Sequence, residues 1–169
     1  HNVLGIPLWT PAMPKAYRVN LHNLQKVKEQ PLKVVYFPSC INQTMGLPKE
    51  SPVDQPLVDK MMSLLQKAGY EVIFPKNMDK LCCGTIWESK GMLDIADRKS
   101  AELEAALWEA SEQGKYPVLC DQSPCLHRMR ECIKKMKLYG PAEFIYTLLK
   151  DKLVFTPTSR PVAIHVTCS

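Results

Sequence analysis

Two adjacent cysteines followed by glycine, Cys82-Cys83-Gly84, constrain this chain more than any other stretch. In a straight strand neighbouring side chains point to opposite faces, so both thiols can serve one site only where the backbone turns sharply. Gly84 has the conformational freedom for that turn. Two further cysteines stand symmetrically about the pair. Residues 41–81, forty-one positions, separate Cys40 from Cys82, and residues 84–124, again forty-one, separate Cys83 from Cys125. Each of these three sites follows an apolar run that reads as a strand and precedes a stretch that reads as a helix. Convergence on one edge of a sheet is the expectation.

The rest of the chain supports that frame. Residues 1–32 carry no sustained period and are interrupted by Pro7, Pro11 and Pro14, so they read as an extended arm or linker remnant. Leu8 and Trp9 look like isolated anchors there, and a short helix fits residues 21–29. The run Val34-Val35-Tyr36-Phe37 is a buried strand ending at Pro38-Ser39-Cys40. Residues 41–52 read as a loop. Ser51-Pro52 reads as an N-cap and first helical position, with Asp54 in the first turn and Gly69 as the stop. Residues 70–75 form the next strand, and residues 76–84 carry a further strand end into the cysteine pair. Thr85 and Glu88 match a capping box, with Gly91 placed to split the helix that follows. Ala96, Leu103, Ala106, Leu107 and Ala110 make a helical stripe that Gly114 ends. Residues 117–120 are a strand, Ser123-Pro124 opens a helix with Cys125 in its first turn, and Pro141 opens another. Residues 162–166 read as a last strand running into Cys168.

Strands alternating with helices predict an α/β class: a mostly parallel sheet with helices packed on it and cysteines at the carboxyl ends of its strands. Ligands in such sheets sit beyond those ends. Domain organisation follows as the arm, 1–32, and one cysteine-rich domain, 33–169. No run reaches the roughly 20 apolar residues that span a bilayer, and no signal peptide is visible, so a cytoplasmic setting is expected. A net charge of +5, with a small cluster at Lys134, Lys135 and Lys137, reads as solvated surface and implies no nucleic-acid partner.

Seven cysteines in 169 residues is an odd and sparse set for a disulfide scaffold; a reducing setting with metal or redox chemistry fits better. Cys40, Cys82, Cys83 and Cys125 supply four thiolates, the ligand count of a common iron–sulfur cluster. Three alternatives stay open. Cys120-x4-Cys125 has the spacing of half a structural zinc site. A disulfide could exchange at Cys82-Cys83. The thiols could also be plain core residues of a metal-free interaction module. Cys120 ends a strand and is as well suited to the core as to ligation. Cys132 shares a helix face with Cys125, Met129 and Met136 and reads as packing. His127 reads as a surface side chain, with cluster tuning as its other role. Neither a G-x-G-x-x-G nor a phosphate-binding loop is present.

Taken together, Phe37-Pro38-Ser39-Cys40, Cys82-Cys83-Gly84 and Ser123-Pro124-Cys125 resemble the cysteine-rich CCG domain. That family includes the CCG-bearing polypeptide of heterodisulfide reductase and the iron–sulfur subunits or C-terminal regions of FAD-linked D-lactate, glycolate and related dehydrogenases. The resemblance covers roughly residues 33–169, and the wording S-C-I-N and D-x-S-P-C looks most like the D-lactate branch. It implies a 4Fe-4S cluster held by Cys40, Cys82, Cys83 and Cys125, with FAD elsewhere in the parent protein. Implied partners are a flavin domain or subunit and a quinone or cytochrome acceptor, with peripheral association at the inner membrane face compatible. The enzyme implied is an FAD-linked 2-hydroxyacid dehydrogenase, of which this piece alone would not turn over substrate. Residues 162–169 resemble the opening of a second motif copy, echoing Val34–Cys40. One departure stands out: the family's C-x2-C would place a cysteine at Gln122, and this chain has Cys120 instead.

Overall fold

The computed structural model describes residues 10–20 and 32–164. The expected anchors at Leu8 and Trp9, the helix at 21–29 and the end of the last expected strand with Cys168 lie outside them.

Four strands form one parallel sheet: β2 (Leu32–Phe37), β4 (Tyr70–Ile73), β5 (Val118–Cys120) and β6 (Leu138–Tyr139). Their spatial order is β4-β2-β5-β6. The register pairs Val34 with Val72 on one side of β2 and Phe37 with Cys120 on the other. Both neighbours run parallel to β2, as does β6 to β5. The chain is thus α/β, with helices on both faces of the sheet.

The unbroken apolar run of β2 is what a strand covered on both faces requires. Val34, Val35, Tyr36 and Phe37 are all fully buried, and their alternation divides the core. Val34 and Tyr36 join Leu119 against Val58, Met61, Met62 and Leu65 of α2 (Leu57–Lys67) and Phe144 of α6 (Pro141–Phe144). Val35 and Phe37 join Val118 and Cys120 against Leu103 and Leu107 of α4 (Leu93–Ala110) and Leu126 and Met129 of α5 (Ser123–Cys132). α6 continues as a wider π turn, Ile145–Leu149, that buries Leu149. Gly69, at φ +81°, ends α2 as expected.

Several local expectations are corrected. Residues 41–52 are not a plain loop: α1 (Cys40–Thr44) begins on Ser39, whose hydroxyl accepts from the Asn42 amide, and β3 (Met45–Pro48) follows. β3 forms because a distant segment, β1 (Pro14–Ala16), pairs antiparallel with it. α2 starts at Leu57 after Pro56, not at Ser51, and carries Asp59 rather than Asp54 in its first turn. The Ser51 hydroxyl instead accepts from the Val53 amide in a local turn. No strand leads into Cys82; a 3₁₀ turn, Met78–Lys80, does, and Leu81 leaves it extended. The capping box does not close either. α3 (Thr85–Glu88) starts on Gly84 without a side-chain cap, because Thr85 and Glu88 are engaged elsewhere. Ser123 lies inside α5, one residue after its N-cap Gln122. β6 was not anticipated. Val162, Ala163 and Ile164 are exposed and outside any strand. Among the described residues no helix is long and apolar enough to cross a membrane.

Candidate metal centre

The strand order places the site. In chain order the four parallel strands are β2, β4, β5 and β6, so the sheet grows to one side of β2 and then to the other. The carboxyl ends of β2 and β5 flank the point where the order reverses, which is where open α/β sheets form their ligand crevice. Cys40 follows β2, and Cys120 and Cys125 end and follow β5. The pair Cys82-Cys83 reaches the same edge by another route, through the 3₁₀ turn after β4.

Gly84 makes the second route work. Its φ of +94° is left-handed, and a Cβ there would stand 2.5 Å from the Ala96 carbonyl oxygen and 3.0 Å from Ser100 Oγ. Glycine is therefore required both by the turn and by the close approach of α4. Ser100 Oγ donates to the Cys83 carbonyl at 2.8 Å, fastening the turn to α4. The turn also aims an amide at sulfur: Gly84 N donates to Cys82 Sγ at 3.4 Å. Cys83 Sγ lies 3.2 Å from Thr85 Oγ1, and the Thr85 hydroxyl donates to the Pro124 carbonyl at 3.3 Å. One threonine thus connects the cysteine pair to the turn that bears Cys125.

Cys83 is buried among the apolar side chains under α4 and α5. It is within hydrogen-bonding reach of both Cys125 and Cys82, and these bonds hold its thiol well below the ordinary range despite its burial. Cys125 is pushed up, first by its hydrogen bond to Cys120 and then by Cys83 and burial. The hydrogen bond to Cys83 and burial push Cys82 up as well. Physically, one thiolate at Cys83 is favoured with protonated thiols donating to it. Cys120 joins the group through Cys125, its own thiol 3.8 Å from the Gln122 carbonyl oxygen. Cys40 is exposed and close enough for its charge to act on Cys82. A cleft of about 740 Å3 opens beside Cys40, with Arg18, Phe74, Lys76 and Asp79 in its wall.

The four expected ligands therefore share one edge, with Cys120 a fifth thiol in contact. Cys132 is half-buried against the apolar cluster, and His127 is exposed beside Glu131, 3.6 Å away. All six cysteines among the described residues are free thiols. The donor set suits an iron–sulfur cluster in number and kind, being thiols on three separate turns. Among the described residues no three His, Cys, Asp or Glu converge as ligands of a single ion. A multi-iron cluster asks for something different, since its thiolates bind separate irons.

Three contributors were not anticipated. Asp121, buried one residue past β5, accepts from the Tyr36 hydroxyl and the Ser39 amide, both at 2.8 Å. Burial first and Asp121 second push the Tyr36 hydroxyl far up, so it stays the donor. Buried Arg128 of α5 reaches Glu88 of α3 and Asp97 of α4, each at 2.5 Å, while its Nε has no partner. Ser100 is the third. The available signals were a carboxylate between two cysteines and a serine interrupting an apolar stripe.

Comparison with known protein families, curated proteins and solved structures yields no match.

Proposed function

We propose that this chain is an iron–sulfur electron-transfer domain of an FAD-linked oxidoreductase acting on a 2-hydroxyacid such as D-lactate or glycolate. One observation carries the proposal: thiols from three turns far apart in sequence stand at the strand-order switch of a parallel sheet, with Cys83 bonded to Cys82 and Cys125 and Cys40 near enough for its charge to act on Cys82. The residues that would hold a cluster are Cys40, Cys82, Cys83 and Cys125, with Cys120 available beside Cys125. A bound cluster would supply one-electron storage and release.

The chain's own residues do the rest. The left-handed turn at Gly84 leaves the Cys82 and Cys83 thiols within hydrogen-bonding reach of each other. The Gly84 amide stands where it stabilises negative charge on Cys82 sulfur, and the Thr85 backbone amide does the same for Cys83. Val35, Phe37, Leu103 and Leu126 exclude water from the Cys83 side, while Cys40 faces solvent. That asymmetry suits electron entry or exit near Cys40. The likeness of the three cysteine motifs to the CCG domain supports the assignment to a flavin enzyme, with the flavin and a quinone or cytochrome acceptor supplied by partner domains or proteins.

The test is anaerobic reconstitution of the chain with ferrous iron and sulfide, followed by EPR on reduction. A cluster signal that disappears in Cys83→Ser supports the proposal. A chain that takes up neither iron nor sulfide, with Cys40, Cys82, Cys83 and Cys125 all still titratable, sinks it.

A second function, thiol–disulfide exchange, is favoured by the direct contacts among Cys82, Cys83, Cys125 and Cys120. Mass spectrometry after mild oxidation of the metal-free chain separates the two. Quantitative formation of one disulfide that blocks iron uptake, with uptake returning on reduction, favours exchange.

A further inference from the structure

A buried carboxylate held by neutral donors alone is costly and calls for a reason. Asp121 is 8% exposed, sits immediately after Cys120, and is held by hydrogen bonds from Tyr36 and from the Ser39 backbone amide. Those donors are 85 and 82 residues away in sequence, and both belong to β2 and the turn that follows it. One carboxylate oxygen therefore grips the strand and the other grips the residue before Cys40.

We propose that Asp121 is a positioning residue that clamps the Pro38-Ser39-Cys40 turn to the end of β5 and so fixes Cys40 relative to Cys120 and Cys125. The inference rests on the ligand assignment above for its functional half; the clamp itself stands on the two hydrogen bonds. The geometry suits the task. Phe37 pairs with Cys120 in the last register position of β2 and β5, and beyond it the two chains leave the sheet. From there on the described hydrogen bond that joins the two turns is that from the Ser39 amide to Asp121. Ser39 also caps α1 through its side chain, so its amide and its hydroxyl are both committed, and Cys40 follows as the first residue of the helix. With the turn held before metal arrives, less ordering entropy is lost when Cys40 binds.

The experiment uses the full 169-residue chain as wild type, Asp121→Ala and Asp121→Asn. Leu65→Val is the control: it weakens the core layer that also holds Tyr36 but removes neither hydrogen bond to Asp121. Amide hydrogen exchange of Ser39 is read on the metal-free chain, and iron affinity on the reconstituted one. In Asp121→Ala, Ser39 exchange should accelerate about tenfold or more, the weight of one charge-assisted hydrogen bond. Iron affinity should fall about tenfold, the usual effect of losing an outer-shell partner. Asp121→Asn keeps a neutral acceptor for the Ser39 amide but turns a donor toward the Tyr36 hydroxyl, so it should fall between wild type and Asp121→Ala in both readouts. Leu65→Val should leave Ser39 protection as in wild type.

Unchanged Ser39 protection in Asp121→Ala overturns the clamp. Lost protection with unchanged iron affinity overturns its functional half. Should the wild type bind no iron while Asp121→Ala still frees the Ser39 amide, the ligand assignment falls and the clamp stands.

Discussion

The turn after β2 and the turn at Cys82-Cys83-Gly84 deliver cysteines to the same edge by opposite means. The first is fastened by polar groups: Asp121 grips Tyr36 and the Ser39 amide, and the thiol it presents, Cys40, is exposed. The second is fastened by close packing on α4 and α5, and the thiol it presents, Cys83, is buried. Hydrogen bonds set direction with modest net energy, whereas a backbone approach that admits no Cβ is all or nothing. The packed turn should therefore fail abruptly on substitution and the hydrogen-bonded turn by degrees.

Gly84→Ala is the hardest test of that contrast. The new Cβ meets the Ala96 carbonyl oxygen at 2.5 Å, and the left-handed backbone adds strain. A left-handed alanine costs about 1–2 kcal/mol, and displacing a helix backbone raises the total to about 3 kcal/mol or more. Urea unfolding measures it. A loss below about 1 kcal/mol, within the range of a single hydrogen bond, would break the comparison.

Arg128→Met comes next and probes the ionic strut in the packed region. Arg128 is buried and ties α5 to α3 and α4 through Glu88 and Asp97. Methionine keeps the apolar stem and removes the unpartnered Nε as well as both ion pairs. Glu88 and Asp97 are partly exposed and can rehydrate, so the expected loss is about 2 kcal/mol, less than for stranding a fully buried charge. Raising salt to about 1 M should shrink the wild-type advantage only slightly, because the guanidinium is shielded from solvent. Stability unaffected by the substitution would leave the packed region held by apolar contacts and the hydrogen bonds of Ser100 and Thr85.

The contrast also explains what could be foreseen. β2 and β5 were legible because strands covered on both faces must be continuously apolar, and Val34–Phe37 and Val118–Cys120 are. Gly84 was legible because two adjacent thiols can share a site only around a turn. Features formed by residues far apart in sequence were not. β3 exists through pairing with Pro14–Ala16, and nothing in Met-Gly-Leu-Pro itself reads as a strand. Asp121 was visible beside Cys120, but its donors lie more than 80 residues upstream. The false capping box and the false helix start share a cause. Thr85 and Ser51 carry side chains that can cap, and the fold turned those hydroxyls to Pro124 and to Val53 instead.

Tyr36→Phe weakens the hydrogen-bonded turn directly. It removes one of the two donors to Asp121 and leaves a fully buried ring otherwise intact. A buried acceptor that loses one partner costs about 1–2 kcal/mol. The Ser39 amide remains in place, so alkylation of exposed Cys40 in the metal-free chain should rise only modestly, while Cys83 stays protected until the chain unfolds. Simultaneous exposure of Cys40 and Cys83 would show that the two turns are not held independently.

Ser39→Ala should have the smallest effect. Ser39 contributes two separate bonds: its amide donates to Asp121 at 2.8 Å, and its hydroxyl accepts from Asn42 N at 3.3 Å. The substitution deletes only the second, which is long and caps a helix of five residues. Losing such a cap costs about 0.5–1 kcal/mol. If the turn is held by Asp121 through the backbone, Ser39→Ala must leave the residue 39 amide protected and the Cys40 alkylation rate unchanged. A loss as large as that of Tyr36→Phe, with the amide freed, would move the anchor from Asp121 to the hydroxyl. The turn after β2 would then be a locally capped helix start, fixed by its own sequence like any other, rather than one tied across the sheet to the strand that carries Cys120.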